Sequence, residues 1–178
     1  MKKGMIDLTI VLAVLFGLSL SMYLLYDGAF LAISISIGTT LYHFAMRLAV
    51  GGVVNGILHN KVNIYNKWFV VGKGEQRFYD WLGVKRWKGK MPTYDPSAFD
   101  ISIHSVSEIA QAGCQAEIVH EIIVLFSFLP LIAIVWFGEP LVFILTSVFA
   151  ALFDSIFIVM QRFNRPRLLK IIQRQNNK

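Results

Sequence analysis

Apolar residues along this chain do not recur one face at a time. They gather in four long blocks, separated by two short polar links and one long polar stretch. The blocks run from Leu8 to Tyr26, from Ala29 to about Val54, from about Glu117 to Phe137 and from Leu141 to Gln161. A hydrocarbon core about 30 Å thick needs about 20 apolar residues in helical form, so each block is predicted to cross a membrane. Asp27-Gly28 joins the first pair and Gly138-Glu139-Pro140 the second. Links this short return the chain antiparallel, which predicts two helical hairpins. Met1-Lys2-Lys3 resembles the basic start of a signal peptide. The run behind it is long, however, and no small-x-small site follows at Tyr23-Leu24-Leu25-Tyr26, so the first block is read as a retained helix. The expected fold is an all-α integral membrane protein, one membrane domain over residues 1–178.

The polar stretch, about residues 57–116, is too long for a structureless connection. It carries Trp68, Trp81 and Trp87 together with Tyr65, Phe69, Phe78 and Tyr79, interleaved with lysines. Rings with one wet edge suit the headgroup layer, so the loop is expected to lie on the cytoplasmic leaflet. Glu75 to Leu82 reads as a short helix stopped by Gly83. A basic run, Lys85-Arg86-Trp87-Lys88-Gly89-Lys90, ends at Met91-Pro92. Ser105-Val106-Ser107-Glu108 matches a capping box and predicts a helix start. Beyond the fourth block, Pro166 is expected to interrupt the helix at Arg165. Leu168, Leu169, Ile171 and Ile172 would then form the apolar stripe of an interfacial tail over residues 162–178.

Composition agrees with the pattern: 56% of residues are hydrophobic and only 16% charged, with a mean hydropathy of +0.58. The net charge of +6 has to be read by position. Sixteen of the seventeen Lys and Arg residues lie before the first block, in the central loop or after the fourth block; neither short link has any. The positive-inside rule makes that side cytoplasmic, with both termini and the loop on it. The excess therefore serves topology and anionic headgroups, not nucleic acid. The lone cysteine, Cys114, excludes an internal disulfide and reads as a small buried hydrophobe.

Ionisable groups at membrane depth are costly unless paired or wet, so they carry the candidate chemistry. Glu117, His120 and Glu121 open the third block on one helical face. A carboxylate one turn from an imidazole fixes its tautomer and raises its basicity, as needed to take a proton from an alcohol. The same spacing also fits a charged helix start at an interface. Glu-x-x-His-Glu offers one imidazole, so it argues for no metal. His43 and Arg47 stand one turn apart in the second block, and Asp154 in the fourth is the matching partner type for Arg47. Gly51, Gly52 and Gly56 suit close helix packing. Arg162, Asn164, Arg165 and Arg167, at the cytoplasmic end of the fourth block, serve either topology or a phosphate-bearing donor.

Three landmarks recur in one order: Lys85-Arg86-Trp87-Lys88 with Pro92 behind it, Glu117-Ile118-Val119-His120, and Gln161-Arg162-Phe163-Asn164-Arg165-Pro166-Arg167-Leu168. With them the chain resembles the glycosyl-4,4'-diaponeurosporenoate acyltransferase family of the staphyloxanthin pathway, small bacterial membrane proteins, over roughly Asn66 to Ile172. The resemblance implies O-acyl transfer from a thioester to a sugar hydroxyl of a glycosylated carotenoid acid, at the cell membrane of a bacterium. In that reading His120 is the general base and Glu117 orients it. Lys85, Trp87, Lys88, Arg162, Asn164, Arg165 and Arg167 hold the substrates, while His43, Arg47, Asp154 and Glu121 are intramembrane polar groups. Acyl-coenzyme A or an acyl carrier protein thioester is the co-substrate, with no bound cofactor. Membrane lipids and an amphiphilic acceptor are the other partners. Two further classes remain open from the residues alone: another lipid transferase moving a methyl or phospho group, and a non-enzymatic lipid-binding or assembly subunit.

Overall fold

The structure is a computed structural model and describes residues 2–177. Helix makes up 81% of it, and there is no strand among the described residues. The helices are α1 (Lys2–Leu25), α2 (Phe30–Leu58), α3 (Lys73–Trp81), α4 (Val84–Trp87), α5 (Val106–Phe126), α6 (Ile134–Phe137) and α7 (Pro140–Asn176). Four stretches are long and apolar enough to cross a membrane: Lys2–Leu25, Phe30–Leu58, Val106–Phe137 and Pro140–Asn176.

Local chemistry explains the boundaries. Asp27 Oδ1 accepts from the Ala29 amide at 2.9 Å, turning the chain into α2. The third apolar block is not the single helix expected over about 117–137. Its helix starts earlier, at Val106, where Ser105 and Glu108 close both halves of a capping box: Ser105 N donates to Glu108 Oε2 at 2.8 Å and Glu108 N to Ser105 Oγ at 3.3 Å. It also ends earlier, at Phe126, because Pro130 cannot continue the ladder and the chain tightens into a 3₁₀ turn over Leu129–Ala133. The opposite happens at Pro166, which sits inside α7 without ending it. A proline in a helix interior costs about 3 kcal/mol. Here it is flanked by side chains buried on both sides, Phe163 and Arg165 before it and Ile172 after it, and their packing offsets the lost hydrogen bond. The expected separate tail over 162–178 is thus the continuation of α7. Gly83 takes φ +63° between α3 and α4, a conformation glycine adopts without penalty.

The chain divides into two compact units, Met1–Gly51 with Ile122–Asp154 and Gly52–Glu121 with Ser155–Lys178. In the first, a Cβ at Gly38 would stand 2.8 Å from the Phe16 ring, so α1 and α2 meet where there is no side chain. The close approach is not at Gly51, Gly52 or Gly56, which have open space around them. Hydroxyls at apolar depth bond back to their own helix, as Thr39 Oγ1 does to Ile35 O at 2.9 Å. Tyr42 donates its phenol proton to Phe126 O, an end carbonyl of α5, at 2.9 Å. Arg47 is held by α7: Nε donates to Asp154 Oδ2 at 3.0 Å and Nη2 to the same oxygen and to Ala150 O. Asp154 is 1% exposed, so pairing is what makes its charge tolerable there.

In the second unit the polar stretch is folded, not splayed. Ile64 and Phe69 from the loop form one core with Ala110 and Cys114 of α5 and Ile172 of α7, with Leu168 and Leu169 packed against it. The stripe expected to face lipid from the tail is therefore largely protein core, although Ile171 stays exposed. Tyr79, Val84 and Phe163 make a second core, against which Trp87 packs.

Removing one member of the Arg47–Asp154 pair leaves the other buried and unpaired. Arg47→Met and Asp154→Leu are each expected to cost about 3 kcal/mol or more. The double variant is expected to cost clearly less than their sum, measured as a double-mutant cycle of unfolding in detergent.

Candidate functional site

The central residue of the second unit is Glu117. It is completely buried on α5 and accepts from two guanidinium groups of α7. Arg162 Nη1 donates to Oε1 at 2.7 Å, and Arg165 Nη2 donates to Oε2. Arg162 also forks onto Glu75 of α3, through Nε to Oε1 and through Nη2 to Oε2 at 3.1 Å. Its remaining bonds go to the Trp68 and Val70 carbonyls, each at 3.3 Å. A guanidinium has five N–H donors, and all five of Arg162 are thereby engaged. Arg165, 3% exposed, donates to Phe69 O at 3.2 Å and lies 4.7 Å above the Phe69 ring. Two cations thus face two anions in a closed network. Desolvated charges persist only when compensated by partners, and these are. Both arginines pin residues 68–75 to α5 and α7.

Glu75 and Tyr79 complete the network, and the sequence reading did not single them out as site residues. The Tyr79 phenol donates to Glu75 Oε1. Burial, reinforced by that carboxylate, pushes the phenol up to about 12. For Glu75, burial acts to raise its pKa, but hydrogen bonds from Arg162 and Tyr79 outweigh it and hold the carboxyl below its usual value. The signal available in sequence was the placement of Glu75 in the first turn of α3, where its carboxylate also accepts from the Gly72 amide.

His120 lies one turn beyond Glu117 on α5. It is half-buried, and its ring stacks on Phe157 of α7 at 4.7 Å and 9°. Its neighbour Glu121 accepts from Trp68 Nε1 at 3.0 and 3.3 Å. Trp68, expected only as an interfacial aromatic, thus reaches α5 from the loop.

A second group has different electrostatics. Lys88 donates to Asn164 Oδ1 and stands 5.2 Å above the Phe163 ring. Arg167 lies 4.6 Å from the same ring. Burial first, then Arg167 and Lys85, press the Lys88 ammonium below its ordinary value. Among the described residues none of these three cations pairs with a carboxylate. They form an unbalanced positive cluster around a buried aromatic ring, next to an amide that can both donate and accept. Trp87 supports this cluster through packing, and its Nε1 donates to Leu82 O at 3.2 Å.

All the predicted residues of the loop, α5 and the end of α7 therefore fall in the second unit. His43, Arg47 and Asp154 belong to the first.

The Glu75 pairing has a pH signature. A carboxyl held low in the folded state stabilises it above its unfolded value, near 4.5, and that stabilisation is lost as pH falls through the lower folded value. Acid unfolding is expected to set in below about pH 4.5, and Glu75→Gln should flatten the dependence there. Melting temperature against pH in detergent measures both.

The family model for glycosyl-4,4'-diaponeurosporenoate acyltransferase matches residues 61–174. That span holds Glu75, Tyr79, Lys85, Lys88, Glu117, His120 and all the α7 residues described in this unit. No curated protein and no solved structure matches the chain. The matched span exceeds half of the sequence, and the chain belongs to the glycosyl-4,4'-diaponeurosporenoate acyltransferase family.

Proposed function

We propose that this protein moves a fatty acyl chain from a thioester donor to a sugar hydroxyl of an amphiphilic acceptor, at the cytoplasmic face of a bacterial cell membrane. The observation that carries the proposal is the division of the basic residues. Arg162 and Arg165 are paired with carboxylates inside the fold, whereas Lys85, Lys88 and Arg167 have no carboxylate partner among the described residues, and Lys88 bonds to Asn164. Coenzyme A and acyl carrier protein both present phosphopantetheine, and an uncompensated cation cluster suits its phosphate. The one-sided distribution of Lys and Arg supports two helical hairpins with both termini in the cytoplasm.

His120 is the proposed general base. Phe157, on which it stacks, precedes Asn164 by seven residues of helix, about 10 Å at 1.5 Å per residue. A thioester whose phosphate rests near Lys88 has an extended arm to reach back over that distance. The acceptor hydroxyl gives its proton to the His120 imidazole, and the oxygen attacks the thioester carbonyl. The tetrahedral intermediate collapses with cleavage of the C–S bond. The departing thiolate takes the proton from the imidazolium, restoring the base. Glu117 contributes by fixing α5 against α7 through both arginines, which holds the His120 ring in register.

Purified protein given labelled palmitoyl thioester and a lipid extract should yield an acylated glycolipid detectable by mass spectrometry. His120→Gln is expected to lower kcat by about 100-fold or more with folding intact. Lys88→Met is expected to raise KM for the donor about tenfold, the loss of one charge-assisted contact, with kcat little changed. Full activity in His120→Gln would overturn the assignment of the base. Absence of product with either thioester class would overturn acyl transfer.

A further inference from the structure

His43 is only 5% exposed, yet neither Nδ1 nor Nε2 has a hydrogen-bond partner among the described residues. It lies in α2, one of the helices apolar enough to span a membrane. Buried polar groups are nearly always satisfied, and an unsatisfied one at membrane depth points to function. Packing does not account for an imidazole here. Its ring meets Tyr42 edge-on at 5.4 Å and 73°, a contact that phenylalanine makes equally well without a desolvation cost. Nor does the neighbouring Arg47 hydrogen-bond to the ring: its Nη1 bonds to the His43 backbone carbonyl at 2.9 Å.

A second orphan stands in the same unit. Ser147 Oγ is fully buried and has no partner among the described residues, whereas the adjacent Thr146 bonds back to Val142 O at 2.7 Å in the usual way. Ser147 precedes Ala150, which receives Arg47, by about one turn on α7. His43 precedes Arg47 by one turn on α2. Each orphan is thus displaced in the same chain sense from the Arg47 contact.

We infer that His43 binds the hydroxyl group of an uncharged amphiphile within the first unit. A neutral imidazole presents one N–H donor and one nitrogen acceptor. A hydroxyl, which both donates and accepts, is complementary to it. A charged headgroup is not, because Arg47 and Asp154 already balance each other and offer no net charge. The inference is independent of acyl transfer and is tested without turnover.

The full-length protein would be placed in phosphatidylcholine nanodiscs, whose lipid tails and headgroups carry no hydroxyl. It would then be titrated with dodecanol and, separately, with dodecane. The ¹⁵N resonances of the His43 ring are expected to move saturably with dodecanol and to stay put with dodecane. His43→Phe is expected to melt no lower than the parent, since an apolar ring replaces an unsatisfied polar one. It should also lose the dodecanol-specific rise in melting temperature, with about a tenfold drop in apparent affinity, the worth of one hydrogen bond. If His43→Phe fails to insert, His43→Asn assigns the resonance, and the titration of the unsubstituted protein still decides. Identical responses to dodecanol and dodecane would overturn the inference. So would His43 resonances already hydrogen-bonded before addition and indifferent to it, which would identify water as the partner.

Discussion

The buried carboxylate of Glu117, shared between Arg162 and Arg165, is the interaction on which the second unit depends. A carboxylate with no solvent exposure would be neutralised or expelled without partners. With a guanidinium at each oxygen it becomes the point where α5 and α7 are fixed to each other. Arg162 extends the hold to Glu75 on α3 and, with Arg165, to three consecutive loop carbonyls, Trp68 to Val70. Residues 68–75 are thereby tied to two long helices by charge-assisted bonds, which are about twice as strong as neutral ones.

That network also separates structural from available charge. All five N–H donors of Arg162 are engaged within the fold. Among the described residues, Lys85, Lys88 and Arg167 have no carboxylate to balance them, and burial, followed by repulsion from Arg167 and Lys85, depresses the Lys88 ammonium. In the proposed acyl transfer, the second set is the one that would attract an anionic donor, and the first would hold the geometry in which it is used. His120, one turn from Glu117, inherits its position from the same anchor.

The first unit is organised differently. Its helices are joined by the paired rung Arg47–Asp154, and their hydroxyls mostly bond to their own backbone. Against that background the orphaned polar atoms of His43 and Ser147 stand out, because every neighbouring polar group named here has found a partner.

The four apolar blocks, the short links and the one-sided lysines and arginines were legible along the chain, because membrane thickness and charge asymmetry act on composition over about 20 residues at a time. The capping box at Ser105 and the stop at Gly83 were equally legible, being set within four residues. The Arg47–Asp154 pair was foreseeable as a match of residue types, since few partners exist at such depth. The uses of Arg162 and Arg165 were not. A guanidinium reads the same in sequence whether it faces a phosphate or a buried glutamate, and Glu75, Glu117 and Arg162 converge across 87 positions of separation. Pro130 and Pro166 make the same point at the backbone. Both remove an amide proton, yet only the first coincides with a helix end, since the second lies between Phe163 and Ile172, which are packed into the two cores of its unit. Propensity and charge pattern are local, whereas the compensation of a buried charge or a missing hydrogen bond is a property of whatever tertiary packing brings beside it.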